Sequence, residues 1–172
     1  GANDYLFNVP ADQLGEHAAT GGTASTVASR LAYYLDTRGP CLAVDTACSS
    51  SLVALHMAIE SLRACETECA VVGGVHLHLR LGPYFALSQM GALSRSSTCR
   101  PFDAQADGFV PGEGAGVLLL KPLPQAIESG DRIYGVVRGS AINNDGRTGG
   151  LTAPNPAAQT EVVAAAWRDA EI

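Results

Sequence analysis

The chain has 172 residues, 47% of them hydrophobic, and a formal net charge of −6. This length suits a single domain with a buried core, and the acidic balance argues against nucleic-acid binding, which needs a basic surface. The sequence has no apolar run long enough to span a membrane and no signal-peptide pattern, so it predicts a cytoplasmic protein with no membrane partner.

Apolar periodicity predicts alternating helices and strands along the chain, which indicates an α/β fold. The stretch 82–91 is ambiguous and is compatible with a short helix, whereas 93–113 is rich in loop-forming residues. We find no internal repeat and no linker. Helices are predicted at 23–35, 49–63, 126–128 and 159–170, and buried strands at 41–45, 70–75, 116–121 and 133–139.

Cys48 lies between the predicted strand 41–45 and the long helical pattern that follows it. Free cysteine is usually a small buried hydrophobe, so packing is the alternative interpretation. Here, however, the cysteine precedes a helix whose apolar residues run almost all round, which predicts a buried helix. The unpaired N–H groups and positive dipole end at its N-terminus favour thiolate over thiol. The position therefore indicates a nucleophilic cysteine.

The run from Asp45 to Ser51 resembles the nucleophile motif of β-ketoacyl synthases, and most resembles that of ketosynthase domains of modular polyketide synthases. Further segments resemble that family in the same order, so the ordered set is far more specific than any one motif. They are 20–25, 70–75, 99–103, 106–116, 138–146 and 151–155.

The resemblance implies a thiolase-like α/β fold, layered α-β-α-β-α in the full domain, with only its middle portion present here. Residues 1–132 would form the end of the N-terminal half, including the nucleophile, and 133–172 the start of the C-terminal half. The family's two catalytic histidines match none of the four histidines in this chain. We expect them beyond Ile172, so this segment could be acylated but could not condense two substrates alone.

The resemblance also implies an acyltransferase of the 3-oxoacyl-[acyl carrier protein] synthase type. Cys48 would accept an acyl chain from the phosphopantetheine arm of an acyl carrier protein, and its backbone N–H would form part of the oxyanion hole. A malonyl-type extender would then lose carbon dioxide, and its enolate would attack the thioester. No bound cofactor or metal is expected.

Two partner predictions follow, one from the same resemblance and one from the charge of the chain. Family members form homodimers by pairing the strand before the nucleophile, here near Cys41 and Asp45. Acyl carrier proteins are acidic, so a net-acidic chain would dock them through local arginines. The candidates are Arg63, Arg80, Arg95 and Arg100.

The other cysteines and histidines have simpler interpretations. An odd cysteine count in a chain of this size predicts reduced thiols, with Cys41 inside a strand and Cys99 in a loop. Cys65 and Cys69 lack the second ligand pair of a zinc site. His56 is expected to be a hydrogen-bonded packing residue, and His76 and His78 to share one face of a strand.

The glycine-rich stretch 108–116 lacks the lysine of a phosphate-binding loop. Its neighbouring charged residues instead predict a structural network of ion pairs and turns. These residues are Arg100, Asp103, Asp107 and Glu113.

Two other functions remain open from the sequence. The first is a fatty-acid-type or other thiolase-fold acyltransferase, which would also place a cysteine at a helix start. The second is a catalytically inert fragment or scaffold. Selective reaction of Cys48 with an electrophile separates both enzymes from the scaffold.

Overall fold

The computed structural model describes residues 9–172, which form six α-helices and two β-strands within that range. Short 3₁₀ turns at Ala11–Gln13 and Ala47–Ser49 precede helical segments. The elements in chain order are α1 (Ala18–Gly22), α2 (Ser25–Tyr34), α3 (Ser50–Arg63), β1 (Ala70–His76), α4 (Gly82–Gln89), β2 (Gly114–Leu120), α5 (Leu123–Glu128) and α6 (Pro156–Asp169).

The chain divides into two compact units. Unit 1 comprises residues up to 43 together with 74–116, and unit 2 comprises 44–73 and 117–172. Strands β1 and β2 pair in a two-stranded sheet, and the boundary between the units falls inside both strands. Unit 2 holds the predicted nucleophile and all of α3, α5 and α6.

Unit 2 also holds the small apolar core. Every buried hydrophobic side chain in the described range belongs to it, and these residues are Ile59, Val72, Ala126, Ala158 and Ala170. Helix α6 begins at Asn155, whose side chain accepts hydrogen bonds from the N–H groups of Ala157 and Ala158. The side-chain amide of Asn155 also donates to the backbone carbonyl oxygen of Asp145 at 2.9 Å, so this N-cap residue holds the preceding loop as well.

In unit 1, the loop 93–109 closes on itself. Leu93 and Phe109 form an isolated bridge, and between them the Asp107 carboxylate accepts a hydrogen bond from the Ser94 hydroxyl at 2.7 Å. The same carboxylate accepts hydrogen bonds from the N–H groups of Arg95 and Ser96 at 3.1 Å each. The predicted network is therefore present around Asp107, but Glu113 is not part of it, because its carboxylate accepts a hydrogen bond from the His78 N–H.

These contacts should make the stability of the protein depend on pH. Hydrogen bonds from the Ser94 hydroxyl and the Ser96 and Arg95 N–H groups lower the pKa of Asp107 below its ordinary value. A lowered folded-state pKa gives stability that is present above the unfolded pKa, about 3.9, and is lost as pH falls through the folded pKa. The free energy of unfolding of the protein minus that of Asp107→Asn should therefore be constant above about pH 5 and shrink below about pH 4.

Urea unfolding from pH 3 to 7 measures this difference. The exposed Asp12→Asn variant is the matched control, because no hydrogen bond to its carboxylate is present in the described structure. A difference between protein and Asp107→Asn that stays flat down to pH 3 would contradict the assigned contacts.

The helices largely agree with the sequence prediction, but two predicted strands are wrong. Residues 41–45 and 133–139 form neither strand nor helix. A strand needs a neighbour to complete its backbone hydrogen bonds. No segment within 9–172 pairs with either stretch, so their β-branched and apolar residues remain outside any sheet.

The predicted burial of two elements is also wrong. In α3 only Ile59 is buried, and Leu52 is exposed. In β2 the side chains of Val117 and Leu119 are 64% and 72% exposed. An apolar strand is buried only when layers cover both of its faces, and the described residues supply no such layers to β2.

None of the helices in the described range has the length and apolar character needed to cross a bilayer.

Candidate active site

Cys48 occupies the middle of the 3₁₀ turn Ala47–Ser49, which leads directly into α3. Its side chain is exposed. The preceding residue, Ala47, has φ of 55°, the left-handed conformation that non-glycine residues rarely adopt. Such strain costs on the order of 1–3 kcal/mol and tends to occur at functional sites.

Hydrogen bonds within the motif hold this strained turn. The Asp45 carboxylate accepts from the Ala47 N–H at 3.1 Å, and the Thr46 N–H donates to the Ser50 hydroxyl oxygen at 2.9 Å. The Ser50 hydroxyl donates in turn to the Ala47 carbonyl at 2.7 Å, and the Ser49 hydroxyl donates to the Thr46 carbonyl at 2.9 Å. The hydroxyl and carboxylate residues around the cysteine therefore shape its backbone.

The Cys48 N–H has no hydrogen-bond acceptor among the residues the structure describes. It lies at the start of a 14-residue helix, where unpaired N–H groups and the helix dipole favour negative charge. An exposed thiol beside an unpaired N–H can bind an acyl group on sulfur and hold the oxyanion that forms on its carbonyl oxygen.

All five cysteines are free and exposed. The prediction that Cys41 is an interior strand residue is wrong, because its segment has no neighbouring strand in the described range. Cys99 is a loop thiol, as predicted, and its Sγ accepts a hydrogen bond from the Val110 N–H at 3.0 Å. Because a backbone N–H lies beside its sulfur, Cys99 is the cysteine to compare with Cys48 in labelling experiments.

The histidines take separate positions. His56 Nδ1 lies 2.8 Å from the Ser140 hydroxyl oxygen, which confirms the predicted hydrogen-bonded packing residue. His76 and His78 stack edge to face with ring centroids 4.5 Å apart, and the Tyr84 ring lies 4.7 Å from that of His78. The described residues contain no group of three or more His, Cys, Asp and Glu side chains placed to hold a metal.

Two of the four arginines predicted to dock a carrier protein are engaged within the chain. Arg63 forms an ion pair with Asp169 at 2.8 Å, and Arg100 Nη1 lies 3.7 Å from the Asp107 carboxylate. A carrier protein would have to displace these partners. The Arg95 guanidinium has no hydrogen bond or ion pair among residues 9–172, so Arg95 is a better candidate than Arg100.

Asp169 and Ser140 were not among the residues predicted from the sequence. Asp169 is the last residue of α6, where a negative charge opposes the helix dipole. That unfavourable position was a signal that a cation must lie nearby. No sequence signal marked the strain at Ala47, because alanine is not a turn former.

Two family models match the chain. The β-ketoacyl synthase N-terminal domain matches residues 2–126, and the β-ketoacyl synthase C-terminal domain matches residues 134–172. Among curated proteins, a phenolphthiocerol/phthiocerol polyketide synthase of Mycobacterium tuberculosis is 53% identical over 99% of this chain and 11% of its own length. The polyketide synthase PksM of Bacillus subtilis is 49% identical over 96% of this chain and 4% of its own.

Solved structures agree with these relatives. The ketosynthase from module 6 of the bacillaene synthase of Bacillus subtilis is 42% identical, with a TM-score of 0.86 over 92% of this chain and 29% of that one. The oxazolomycin ketosynthase domain OzmH KS7 of Streptomyces albus is 40% identical, with a TM-score of 0.85 over 91% and 28%. This chain therefore spans under a third of each of these two ketosynthases, and the predicted thiolase-like α/β fold is confirmed.

Proposed function

The chain belongs to the β-ketoacyl synthase family, and we propose that it is the part of a polyketide synthase ketosynthase domain that carries the acyl-accepting nucleophile, Cys48. One observation carries the assignment of the residue. The exposed thiol sits in a strained turn at the start of α3, beside a backbone N–H that has no acceptor in the described structure. This arrangement suits a thioester and its tetrahedral intermediate.

In the first step, the Cys48 thiolate attacks the thioester carbonyl of an acyl group carried on phosphopantetheine. A carbon–sulfur bond to Cys48 forms, and the Cys48 N–H donates to the developing oxyanion. The intermediate collapses by breaking the carbon–sulfur bond to the pantetheine, whose thiolate leaves and takes a proton from solvent. The product is the acyl-enzyme.

In the second step, a carrier-bound malonyl-type extender loses carbon dioxide and becomes an enolate. Its carbon attacks the acyl thioester, a carbon–carbon bond forms and the bond to the Cys48 sulfur breaks. The thiolate is regenerated and the lengthened 3-oxoacyl chain stays on the carrier. We assign no proton transfer to His56, because the catalytic histidines of the family match none of the histidines in this chain, and the Nδ1 of His56 lies 2.8 Å from the Ser140 hydroxyl oxygen, as in a packing residue.

We also propose binding partners, domain boundaries and a cellular location. The acyl carrier protein supplies both substrates. A homodimer forms near residues 41–45, where unpaired backbone groups in the described range support pairing with a second copy. Residues 1–132 belong to the N-terminal half and 133–172 to the C-terminal half, a division supported by the matched ranges 2–126 and 134–172. The proposed location is the cytoplasm.

Selective alkylation tests the assignment of Cys48. Limiting iodoacetamide should modify Cys48 at least about tenfold faster than Cys41, because Cys48 lies at the start of a helix beside an unpaired N–H and Cys41 does not. Since all five thiols are exposed, such a difference reports reactivity rather than access. Peptide mass spectrometry against reaction time gives each rate.

Cys99→Ser is the matched control, since it removes the cysteine whose sulfur accepts a hydrogen bond from the Val110 N–H. The Cys48 rate should not change in that variant. Equal labelling of all five cysteines would reject a preformed nucleophile and support the inert scaffold. Rapid labelling of Cys48 without acylation by a carrier-bound thioester would instead favour another thiolase-fold acyltransferase.

A further inference from the structure

Helix α3, which begins beside Cys48, takes part in one polar cluster through two of its residues, one in its middle and one in its last turn. We call this cluster the α3 anchor and define it as His56, Arg63, Ser140 and Asp169. His56 lies in the middle of α3 and Arg63 in its last turn, whereas Ser140 and Asp169 lie outside the helix. All four residues belong to unit 2.

Asp169 is the centre of the anchor. Arg63 Nη1 donates to both of its carboxylate oxygens, at 2.8 and 2.9 Å, and the Ser140 N–H donates to Oδ2 at 2.8 Å. The Ser140 hydroxyl continues the chain of contacts to His56 Nδ1 at 2.8 Å. One carboxylate thus joins the last turn of α3 directly and its middle through a single serine.

The segment 138–140 reaches this position because it lies directly against the end of α6. A Cβ added to Gly139 would come within 2.5 Å of the Ala170 nitrogen and 2.6 Å of the Ala166 oxygen. Arg138 reinforces the contact by donating to the Ala170 carbonyl at 2.8 Å, and its own carbonyl accepts from Arg63 Nη2 at 3.3 Å. Only glycine permits this approach at position 139.

The anchor is built for an ionised carboxylate. The Ser140 N–H and then the Arg63 guanidinium lower the pKa of Asp169 below its ordinary value. The side chains of Arg63 and Asp169 are 41% and 32% exposed, so each is partly shielded from water. Asp169 also sits at the negative end of the α6 dipole, where only such partners make its charge favourable.

We infer that Asp169 is a positioning residue for the Cys48 nucleophile, acting through Arg63 and through Ser140 and His56 on helix α3. This inference rests on the proposed function. Two attachment points about two turns apart fix both the position of a helix along its axis and its rotation about that axis. Cys48 leads into α3 without a break, so a shift of the helix moves the sulfur.

The position of the Cys48 sulfur and its intrinsic reactivity can be measured separately. The N–H groups and dipole at the start of α3 travel with the helix, so Cys48 keeps them when the anchor is lost. Attack on a large, oriented carrier thioester depends in addition on where the sulfur lies, and a misplacement of about 1 Å costs on the order of 10²-fold. A small alkylating reagent approaches from any direction and does not depend on that position.

Asp169→Asn in the full-length protein tests the inference. The substitution keeps the size of the side chain and removes the charge that Arg63 pairs with. We expect the rate of Cys48 acylation by a carrier-bound acyl thioester to fall about 10- to 100-fold. The iodoacetamide rate at Cys48 should stay within about twofold of the unsubstituted protein, because the helix terminus is intact.

Asp131→Asn is the matched control, because it breaks an exposed ion pair of the same length with Lys121 elsewhere in unit 2. It should change neither rate. Ser140→Ala is the second variant, since it keeps the N–H to Asp169 and deletes only the contact with His56. We expect it to slow acylation about threefold with alkylation unchanged, and it decides the question if Asp169→Asn does not fold.

The outcomes are distinct. Unchanged acylation in Asp169→Asn overturns the positioning role, and so does a parallel loss of acylation and alkylation, which would indicate general disruption. Failure of the unsubstituted protein to be acylated at Cys48 overturns the proposed function itself. Slower acylation with unchanged alkylation supports both.

Discussion

Cys48→Ala is expected to lower acyl transfer from a carrier-bound thioester by about 10³-fold or more, the largest effect of any substitution in this chain. The substitution removes the only atom proposed to bond to the acyl group. It leaves the strained turn intact, because the hydrogen bonds of that turn come from Asp45, Thr46, Ser49 and Ser50. The measurement is acyl-enzyme formation in the full-length protein, followed by intact mass spectrometry after incubation with acyl carrier protein.

The controls separate loss of the nucleophile from loss of a thiol. Cys41→Ala and Cys65→Ala remove exposed cysteines outside the turn and should leave the rate within about twofold. Cys48→Ser keeps a weaker nucleophile beside the same backbone N–H, so its acylation rate should also fall far below that of the unsubstituted protein. Retention of more than a tenth of the rate in Cys48→Ala would move the acyl group to another residue.

The helices were predictable because their signals are local. The 3.6-residue apolar period and the Ser-rich start of α3 place that helix within one residue of its observed bounds, Ser50–Arg63. Helix α6 begins three residues before the predicted start. Pro156 suits the first turn and Asn155 caps it, so the N-cap chemistry located the boundary better than the periodicity.

The strands were less predictable because a segment becomes a strand only when another segment pairs with it. The apolar runs 41–45 and 116–121 are similar in composition, yet only the second finds a neighbour, β1, within the described chain. The same cause explains the exposed apolar residues of β2. A sequence pattern indicates what a segment can bury, whereas pairing and burial depend on what else is present to cover it.

The candidate site likewise has some features that follow from the local sequence and others that depend on tertiary contacts. The position of Cys48 at a helix start follows from the pattern around it, and the structure places it there. The left-handed Ala47 and the contact of Asp169 with Arg63, 106 residues apart in sequence, do not follow from any local pattern. Residues brought together by tertiary structure become visible only once the backbone is known.

Gly108→Ala is expected to cause the largest loss of stability, about 3 kcal/mol or more. Gly108 has φ of +135°, a conformation that L side chains rarely adopt. An added Cβ would lie 2.6 Å from both the Leu93 carbonyl carbon and the Ser94 nitrogen. These atoms are backbone and cannot rotate away, so the bridge between Leu93 and Phe109 must open.

Urea unfolding and amide hydrogen exchange measure the two parts of this effect. The free energy of unfolding should fall, and exchange at Ser94 and Phe109 should quicken, because their N–H groups donate across the bridge at 2.9 Å each. Gly112→Ala, between this loop and β2, is the matched control, since nothing lies within 4 Å of its added Cβ and its φ is not in the left-handed region. It should change stability by less than about 0.5 kcal/mol. If both variants were equally stable, the close approach at Gly108 would not be what holds this loop, and its conformation would have to depend on the Asp107 contacts alone.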